Sequence, residues 1–380
     1  MSSPRIALVR ARYTPFGGAE RFVANALEAL GKSGAAITLV TRTWPQSDRG
    51  AHLICDPFYL GNVWRDWGFA RAACKLLERE QFDLVQSHER IACCDIYRAG
   101  DGVHREWLTQ RTRHWSSLKR AKIALNPYHA YVRYAETKLF RSAKLKAVIC
   151  NSHMVKKEIE HWFQTPAGKL HVIYSGVDTD RFHPDLRKKH RHTFRAANLI
   201  PQEAPVYLFI GSGFERKGVA TLISAFARLP NSAHLVIVGK DRRQAHFARM
   251  AQAQGVALRA HFVGAVTDVG PCYGAADVFV LPTLYDPFPN VILEALASGL
   301  PAITSTKSGG AELIRDGING YVCPADDVAA LAHHMRSMMS ADTQRSHGIA
   351  ARQTAENFTL EAMSAQLTSL YSSLLDKHFQ

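Results

Sequence analysis

The sequence predicts an α/β protein made of two doubly wound parallel sheets, and three observations lead to that fold class. Short apolar runs alternate with helix-like segments along the chain, which is the pattern of parallel sheets covered by helices on both faces. At 380 residues the chain is long for a single hydrophobic core, so two domains are expected. Polar or glycine-rich turns follow several apolar runs, and such sheets bind ligands outside the carboxyl ends of their strands.

Bulk composition restricts the class of protein. An apolar content of 47% and a charged content of 21% are ordinary for a globular domain. No apolar run reaches the roughly 18–20 residues that span a bilayer, and the run at 6–9 is too short for a signal peptide. The seven cysteines have no metal-binding spacing, and an odd, unpatterned set indicates a reducing cytoplasm. The formal charge of +14 fits nucleic acid, an anionic membrane or a polyanionic substrate as partner.

The first half of the chain predicts the first sheet. After its first strand come Gly17, Gly18 and Glu20, and then a helical run to about residue 30. A strand, a glycine turn and a helix let the backbone approach a ligand closely, although a glycine pair is most often only a turn and no dinucleotide fingerprint is present. The strands are predicted at 6–9, 37–41, 84–86, 96–98, 147–150 and 172–174, with a helix at about 65–80.

A glycine-flanked turn follows the predicted strand at 96–98. It contains Asp101 and ends at His104, so an acid and a base lie within four residues at a strand's carboxyl end. Such a pair can take part in proton transfer. On spacing alone, a turn that happens to contain both residues is an equally good interpretation.

The segment 105–146 is basic and aromatic. It carries eleven Lys or Arg residues against two Glu, interleaved with Trp, Tyr and Phe. This composition suits the surface of an anionic membrane, single-stranded nucleic acid or a plain solvated helix. Because no nucleic-acid-binding module accompanies it, the membrane is favoured. The candidate membrane patch consists of Trp107, Arg111, Arg113, Trp115, Lys119, Arg120 and Lys122.

The second half predicts the second sheet. Arg216 and Lys217 follow its first strand and precede a helix at about 219–228, where two cations could neutralise a diphosphate. An isolated Arg-Lys pair is more often surface charge. A polar linker is expected over 187–195. The strands are predicted at 206–210, 235–239, 262–264 and 278–281, and later helices at about 326–339 and 359–375.

The most informative stretch follows the strand at 278–281. Asp286 lies in a proline-rich loop, Asn290 is expected to cap the helix 291–298, and Glu294 lies one turn inside that helix. Free amides at a helix N-terminus bind phosphate, and two acids beside them can accept hydrogen bonds from sugar hydroxyls. Either acid alone could equally be an ordinary loop or solvent-facing residue.

The stretch from Asp286 to Pro301 resembles the Glu-x7-Glu signature of the retaining family 4 glycosyltransferases. That family has the GT-B fold, in which two Rossmann-like domains face each other across a cleft. The resemblance implies that Asp286 contacts the donor sugar, as a catalytic-site residue, and that Glu294 binds the ribose. The first acid is Asp here, one methylene shorter, which leaves the identity of the sugar open.

Other matches carry further family roles. The resemblance implies that the amides of Gly17 and Gly18 face the donor diphosphate and that Glu20 lies towards the acceptor. In the family, the pair that matches Arg216 and Lys217 stabilises the departing nucleoside diphosphate, and the resemblance implies the same role here. The remaining roles implied are catalytic for Asp101 and His104, which lie beside the donor sugar, and donor-binding for Arg216, Lys217, Gly264, Asn290 and Val291.

Together these features resemble most closely the lipopolysaccharide core glucosyltransferases of the family. The implied activity is retaining transfer of a hexose, with glucose favoured, from a nucleotide diphosphate sugar, with UDP favoured, to a lipopolysaccharide core or other lipid-linked saccharide. The enzyme is then expected in the cytoplasm, peripheral on the inner face of a bacterial inner membrane. Residues 1–182, completed by a helix at 358–380, are predicted to form the acceptor-side domain, and 183–357 the nucleotide-sugar domain.

No metal or other cofactor is expected. Asp178 and Asp180 have the Asp-x-Asp form of a metal motif, but they lie in the segment that joins the domains. Two alternatives remain: a GT-B sugar-nucleotide epimerase, which needs no membrane patch, and a basic nucleic-acid-binding protein, which would leave the acids at 286 and 294 unused. Nucleic acid is not the favoured partner.

Overall fold

The computed structural model describes residues 3–12, 35–43, 51–113 and 115–376. The chain divides into two compact units: Met1–Ser175 with Glu361–Gln380, and Gly176–Leu360. Each unit contains one sheet, and every strand pairing between the named strands of the described ranges is parallel. The predicted fold class of two doubly wound α/β domains is therefore confirmed.

The sheet of the first unit has the strand order β3-β2-β1-β4-β5-β6-β7. The order reverses between β1 and β4, which defines the switch point where such sheets bind ligands. The apolar side chains of β1 are fully buried, because helices cover both faces of the sheet. The strands are Arg5–Val9 (β1), Ala36–Thr41 (β2), Ala51–Ile54 (β3), Leu84–Ser87 (β4), Ile96–Arg98 (β5), Ala147–Cys150 (β6) and Leu170–Val172 (β7).

The helices of the first unit begin at clear local signals. The Asn126 side chain accepts a hydrogen bond from the amide of Tyr128, with Pro127 in the first helical position, and Ser152 caps the following helix through the amide of Val155. The helices described in this part of the chain are Gly61–Glu80 (α1), His104–Thr112 (α2), Ser117–Ala124 (α3), Pro127–Phe140 (α4) and His153–Phe163 (α5).

The sheet of the second unit has the order β10-β9-β8-β11-β12-β13, with its switch point between β8 and β11. Its strands are Val206–Ile210 (β8), His234–Val238 (β9), Ala260–Gly264 (β10), Val278–Leu281 (β11), Ala302–Ser305 (β12) and Gly320–Cys323 (β13). Its helices are Asp185–Ala197 (α6), Val219–Phe226 (α7), Gln244–Ala253 (α8), Gly270–Ala275 (α9), Asn290–Ala297 (α10), Val328–Ser337 (α11) and Ala341–Ala355 (α12).

The last described helix, Leu360–Asp376 (α13), packs with the first unit. Its Tyr371 hydroxyl donates a hydrogen bond to the side chain of Gln86 in β4. Both side chains are buried, so this bond anchors the end of the chain to the first sheet. None of the described helices is long and apolar enough to cross a membrane.

The polar linker predicted over 187–195 is wrong, because this segment forms most of α6. Arg187, Arg191 and Arg195 are spaced by four residues, so they lie on one face of the helix. All three guanidinium groups contact the carboxylate of Asp277, at 2.8–2.9 Å. The segment is therefore a structural helix despite its polar composition.

Two of the seven cysteines, which showed no pattern in the sequence, are paired in the structure. Cys74 of α1 and Cys93 form a disulfide, with Cα atoms 5.8 Å apart. The spacing of nineteen residues gives no sign of this pair, since it depends on α1 passing over the loop after β4. The cysteine pattern consequently no longer argues for a reducing compartment.

Candidate functional site

Two loops at the carboxyl edge of the second sheet are tied to each other. They follow β8 and β11, which are neighbours at the switch point. The carbonyl of Arg216 accepts hydrogen bonds from the amide of Leu284 at 2.8 Å and from the Thr283 hydroxyl at 3.1 Å. Gly218 has φ +77°, and a Cβ there would lie 2.0 Å from the carbonyl oxygen of Pro282. Only glycine allows this approach, which holds both loops in a fixed position.

The joined loops place two cations on one buried carboxylate. Oδ2 of Asp286 lies 2.5 Å from Nζ of Lys217 and 3.3 Å from Nη1 of Arg216. Asp286 and Lys217 are nearly buried, whereas about a third of the Arg216 side chain is exposed. A buried charge is tolerated only when it is paired and hydrogen-bonded. The sequence analysis treated these residues separately, and their pairing is a finding of the structure.

The backbone of Asp286 is fixed as well. Its amide donates to the carbonyl of Lys307 at 2.9 Å, and its carbonyl accepts from the amide of Gly309 at 2.8 Å. Behind this contact, a Cβ on Gly310 would lie 2.6 Å from the Ile292 side chain of α10. The loops after β11 and β12 and the start of α10 therefore meet around Asp286.

Helix α10 begins one residue earlier than predicted. Pro289 occupies the N-cap position, and no side chain caps the helix, so the prediction that Asn290 is the N-cap is wrong. The extended residue before the helix is the proline, with φ −77° and ψ 110°, and this places Asn290 inside the first turn. Amides in the first turn of a helix attract anions.

Glu294 is buried in α10, at 5% exposed. The alternative of a solvent-facing helix acid is therefore wrong. Its Oε2 accepts a hydrogen bond of 2.9 Å from the hydroxyl of Tyr273, which also lies 3.3 Å from the carbonyl of Val291. Tyr273 belongs to α9 and is itself buried. The sequence analysis missed it, although a tyrosine buried just before β11 needs a polar partner.

In the first unit, His104 is the first residue of α2. Its amide donates to Oε1 of Glu136 at 2.8 Å, and its Nε2 lies 3.0 Å from Nδ1 of His129. Burial, together with the charge of Arg90 and the ring of His129, lowers the pKa of His104 to about 3. His104 is therefore uncharged at neutral pH, and acts as a hydrogen-bonding group.

Arg90 links the two predicted residues of this loop. Its Nε donates to Oε1 of Glu136 at 3.2 Å, and its Nη1 lies 4.0 Å from Oδ2 of Asp101. Burial raises the pKa of Glu136, while Arg90 and the amide of His104 oppose that shift. The carboxyl of Asp101 itself is mostly exposed. Sequence reasoning missed these contacts, because Arg90 lies in the loop after β4, while His129 and Glu136 belong to α4.

The basic segment presents cations and apolar groups together. No residue of α3 is buried, and Leu118 and Leu125 are 80% and 83% exposed. The Arg111 guanidinium lies over the rings of Trp107 and Trp115, at 5.9 and 5.4 Å. Four residues of the predicted membrane patch are exposed: Arg113, Lys119, Arg120 and Lys122.

The other predicted positions are placed as follows. Gly17, Gly18 and Glu20 lie outside the described residues. Gly264 ends β10 with φ +82°. Asp178 accepts hydrogen bonds from the amides of residues 180 and 181, so its carboxylate closes a turn. In the described ranges no three His, Cys, Asp or Glu side chains form a group that could hold a metal ion.

Comparisons with known proteins match both halves of the chain. Residues 204–341 match the model of group 1 glycosyl transferases, and residues 16–181 match Glycosyltransferase Family 4. The lipopolysaccharide glucosyltransferase WaaG of Escherichia coli K12 is 26% identical over 333 residues, covering 83% of this chain and 84% of that protein. The lipopolysaccharide core biosynthesis glycosyltransferase LpsE of Rhizobium meliloti is 27% identical over 336 residues, covering 87% of both.

Solved structures share the fold. The crystal structure of WaaG superimposes with a TM-score of 0.83 at 23% identity, covering 96% of this chain and 99% of that one. HepE of Anabaena, in complex with UDP-glucose, gives a TM-score of 0.73 at 18% identity, covering 97% of this chain and 99% of that one.

Proposed function

Because the chain belongs to the family 4 (group 1) glycosyltransferases with the GT-B fold, we propose that it is a retaining hexosyltransferase that uses a UDP-sugar. Glucose is the favoured sugar, and the saccharide of a lipopolysaccharide core or another lipid-linked acceptor receives it. The names of the relatives WaaG and LpsE support this acceptor class, and the UDP-glucose complex of HepE supports this donor. The observation that carries the proposal is the cluster of Arg216, Lys217 and Asp286 before α10, in which Lys217 and Asp286 are buried.

The main difficulty of the reaction is the negative charge that develops on the leaving diphosphate. Lys217 and Arg216 supply positive charge at the sheet edge, and Asp286 holds both cations in position before the donor arrives. The first-turn amides of α10 add a second source of positive potential. Charges fixed in advance in a buried site stabilise the transition state without reorganisation, so no metal is needed in this scheme.

Glu294 holds the ribose of the nucleotide in this scheme. Its carboxylate can accept hydrogen bonds from ribose hydroxyls, and the Tyr273 hydroxyl fixes one of its oxygens. Because the carboxylate is buried and already hydrogen-bonded, it loses less side-chain entropy when the ribose binds. Asn290 and Val291 begin the same helix and lie near the phosphates, while Gly264 leaves room for the base.

Retention follows if the acceptor attacks on the face that the diphosphate leaves, with a diphosphate oxygen taking the acceptor proton. His104 then serves as a neutral hydrogen-bonding partner of the donor sugar, because its pKa is far below neutral pH. Asp101 is exposed to solvent and can contact a sugar hydroxyl. Glu20 remains the proposed acceptor-side acid.

The basic segment is the proposed contact with an anionic membrane. Its exposed cations lie beside exposed leucines and arginine-covered tryptophans, and this combination suits headgroup depth. The lipid-linked acceptor would be met at that surface, which places the enzyme on the inner face of the inner membrane.

The test is a transfer assay with the purified full chain, UDP-glucose and membranes that carry a truncated core acceptor. We expect glucose to appear on the acceptor, and the anomeric configuration, read from the coupling between H1 and H2, to match that of the donor. Recovery of the sugar in inverted configuration would exclude the retaining mechanism. Conversion of the nucleotide sugar without acceptor would instead identify the sugar-nucleotide epimerase.

A further inference from the structure

A groove of about 460 Å³ lies between α1 and α4 in the first unit. This volume is within the range of about 300–1,000 Å³ that is typical of ligand pockets. Part of its wall is the disulfide between Cys74 and Cys93. Its cationic and aromatic walls include Trp67, Arg71, Lys75, Tyr131, Tyr134 and Lys138.

Three of the four cations that line this groove have no acidic partner among the described residues, unlike the other cations of α1. Outside the groove, Arg65 pairs with Asp66 at 2.6 Å and Arg79 with Glu80 at 2.8 Å. In the described ranges, no carboxylate lies within ion-pair distance of Arg71, Lys75 or Lys138. The fourth cation, Arg90, pairs with Glu136 at 3.2 Å. The groove also contains Glu78, so its walls keep an excess of positive charge. Three clustered cations repel one another, and an anion bound between them would relieve that repulsion.

The same walls expose aromatic rings. Trp67 is 47% exposed and Tyr134 is 61% exposed, and the Arg71 guanidinium lies 5.7 Å from the centre of the Trp67 ring. Rings of this size gain stability when their faces are covered, and the C–H faces of a sugar ring provide a matching surface. Burial raises the pKa of Tyr131 to about 12, so its hydroxyl stays protonated and can donate to a sugar oxygen.

The groove adjoins the loop proposed to lie beside the donor sugar. Arg90 lines it and also contacts Glu136, at 3.2 Å, and Asp101, at 4.0 Å. Glu136 in turn accepts a hydrogen bond from the amide of His104. A ligand in the groove is therefore one side chain away from the loop that carries Asp101 and His104.

We propose that this groove binds a sugar residue that carries an anionic group, as part of the acceptor saccharide. The proposal rests on the proposed transferase function and names the acceptor chemistry that the function leaves open. The rings pack against the sugar, and Arg71, Lys75 and Lys138 bind its phosphate or carboxylate. Neutral sugars would gain only the ring contacts.

The test measures binding rather than transfer, by saturation-transfer NMR on the full chain with excess UDP present to occupy the donor site. The probes are glucose 6-phosphate, glucuronic acid and glucose. We expect both anionic sugars to bind at least about tenfold more tightly than glucose, because charge-assisted hydrogen bonds are the stronger ones. The stronger of the two anionic probes identifies the anion. Equal affinity for all three probes would overturn the proposal.

The variant Arg71→Gln/Lys75→Gln/Lys138→Gln should lose this preference and keep the weak binding of glucose. Its matched control, Arg79→Gln/Lys144→Gln/Lys157→Gln, makes the same charge change at exposed sites outside the groove and should bind all probes as the parent does. Trp67→Leu should weaken binding of all three sugars. Circular dichroism melts of each variant, compared with the parent, test whether unfolding causes any loss of binding.

Two outcomes would contradict the inference. One is an unchanged preference for anionic sugars in the triple groove variant. The other is a triple variant that loses binding to phosphatidylglycerol vesicles but not to sugars, since the groove would then belong to the membrane surface. Failure of the transferase proposal is recognised separately, by the absence of glucose transfer in a protein whose sugar binding is intact.

Discussion

Replacing Lys217 by methionine should separate the electrostatic role of this residue from its structural role. The change keeps the length of the side chain and removes the charge that lies 2.5 Å from the Asp286 carboxylate. That carboxylate is 9% exposed and would retain only Arg216, at 3.3 Å. Removing one partner of a buried ion pair typically lowers the free energy of unfolding by about 3–5 kcal/mol. Because Arg216 remains as a partner of Asp286, we expect a loss at the lower end, about 3 kcal/mol.

A second change should restore the stability but not the activity. In Lys217→Met/Asp286→Asn the buried charge is gone along with its partner, so most of the lost free energy of unfolding should return. Transfer should remain about 10²–10³ below the parent, because the cation that meets the diphosphate is still missing. Single and double variants together form a cycle whose coupling energy we expect to reach at least about 2 kcal/mol.

The stability assay must report the second unit. All six tryptophans lie at positions 44–162, so their fluorescence follows the first unit and provides an internal control. Hydrogen exchange in β11, read by mass spectrometry during urea titration, follows the second. If the losses of stability in the two single variants add up to that of the double variant within about 0.5 kcal/mol, Lys217 and Asp286 do not stabilise each other. A double variant with parental activity would remove Lys217 from the mechanism.

Four further predictions follow from the same site and surface. Glu294→Gln should reduce transfer by about 10²–10³, measured at saturating acceptor; activity above half of the parent would remove Glu294 from the donor site. Chelation with EDTA should leave transfer unchanged, and activity restored only by Mn²⁺ or Mg²⁺ would contradict the metal-free scheme. The pKa of His104 is about 3 in the folded chain against about 6.5 in the unfolded chain. The contribution of neutral His104 to the free energy of unfolding should therefore be fully present above about pH 6.5 and be lost as the pH falls towards about 3. His104→Gln should flatten that decline, and an unchanged slope would exclude this residue as its source. Binding to anionic vesicles, measured by co-sedimentation, should weaken as the salt concentration rises. It should also weaken in a variant with five patch cations changed to Ser, but not in a control with five exposed cations of the second unit changed to Ser. Equal binding to neutral vesicles would contradict the membrane contact. The patch cations are Arg111, Arg113, Lys119, Arg120 and Lys122, and the control cations are Lys189, Arg242, Arg249, Arg315 and Arg345.

Continuously apolar strands were found from the sequence together with their bounds. Val206–Ile210 and Val278–Leu281 are entirely buried and were predicted with these bounds. Ala302–Ser305 was missed although it too is buried, because it ends in two hydroxyl residues. Their hydroxyls donate to backbone carbonyls of the neighbouring segment, so burial costs little. The edge strand Ala51–Ile54 was missed because its side chains are mostly exposed.

The candidate site was only partly readable for a similar reason. Pattern and resemblance pointed to Lys217, Asp286 and Glu294 one by one, each from its own short motif. Lys217 and Asp286 are 69 residues apart, and their contact arises because β8 and β11 pair in the sheet. The partner of Glu294, Tyr273, has no motif of its own. What sequence lacked was the set of contacts between segments.

Charge illustrates the same limit at the scale of the whole chain. Arg187, Arg191 and Arg195 contribute to the basic net charge, yet all three bind Asp277. Although burial opposes it, these arginines lower the pKa of Asp277, whose carboxylate also accepts a hydrogen bond from the first amide of β8. These cations connect α6 to the second sheet. The formal charge of +14 therefore overstates the number of cations available to a partner, and only a structure separates Lys119 or Arg120, which are exposed on α3, from arginines that stabilise the fold.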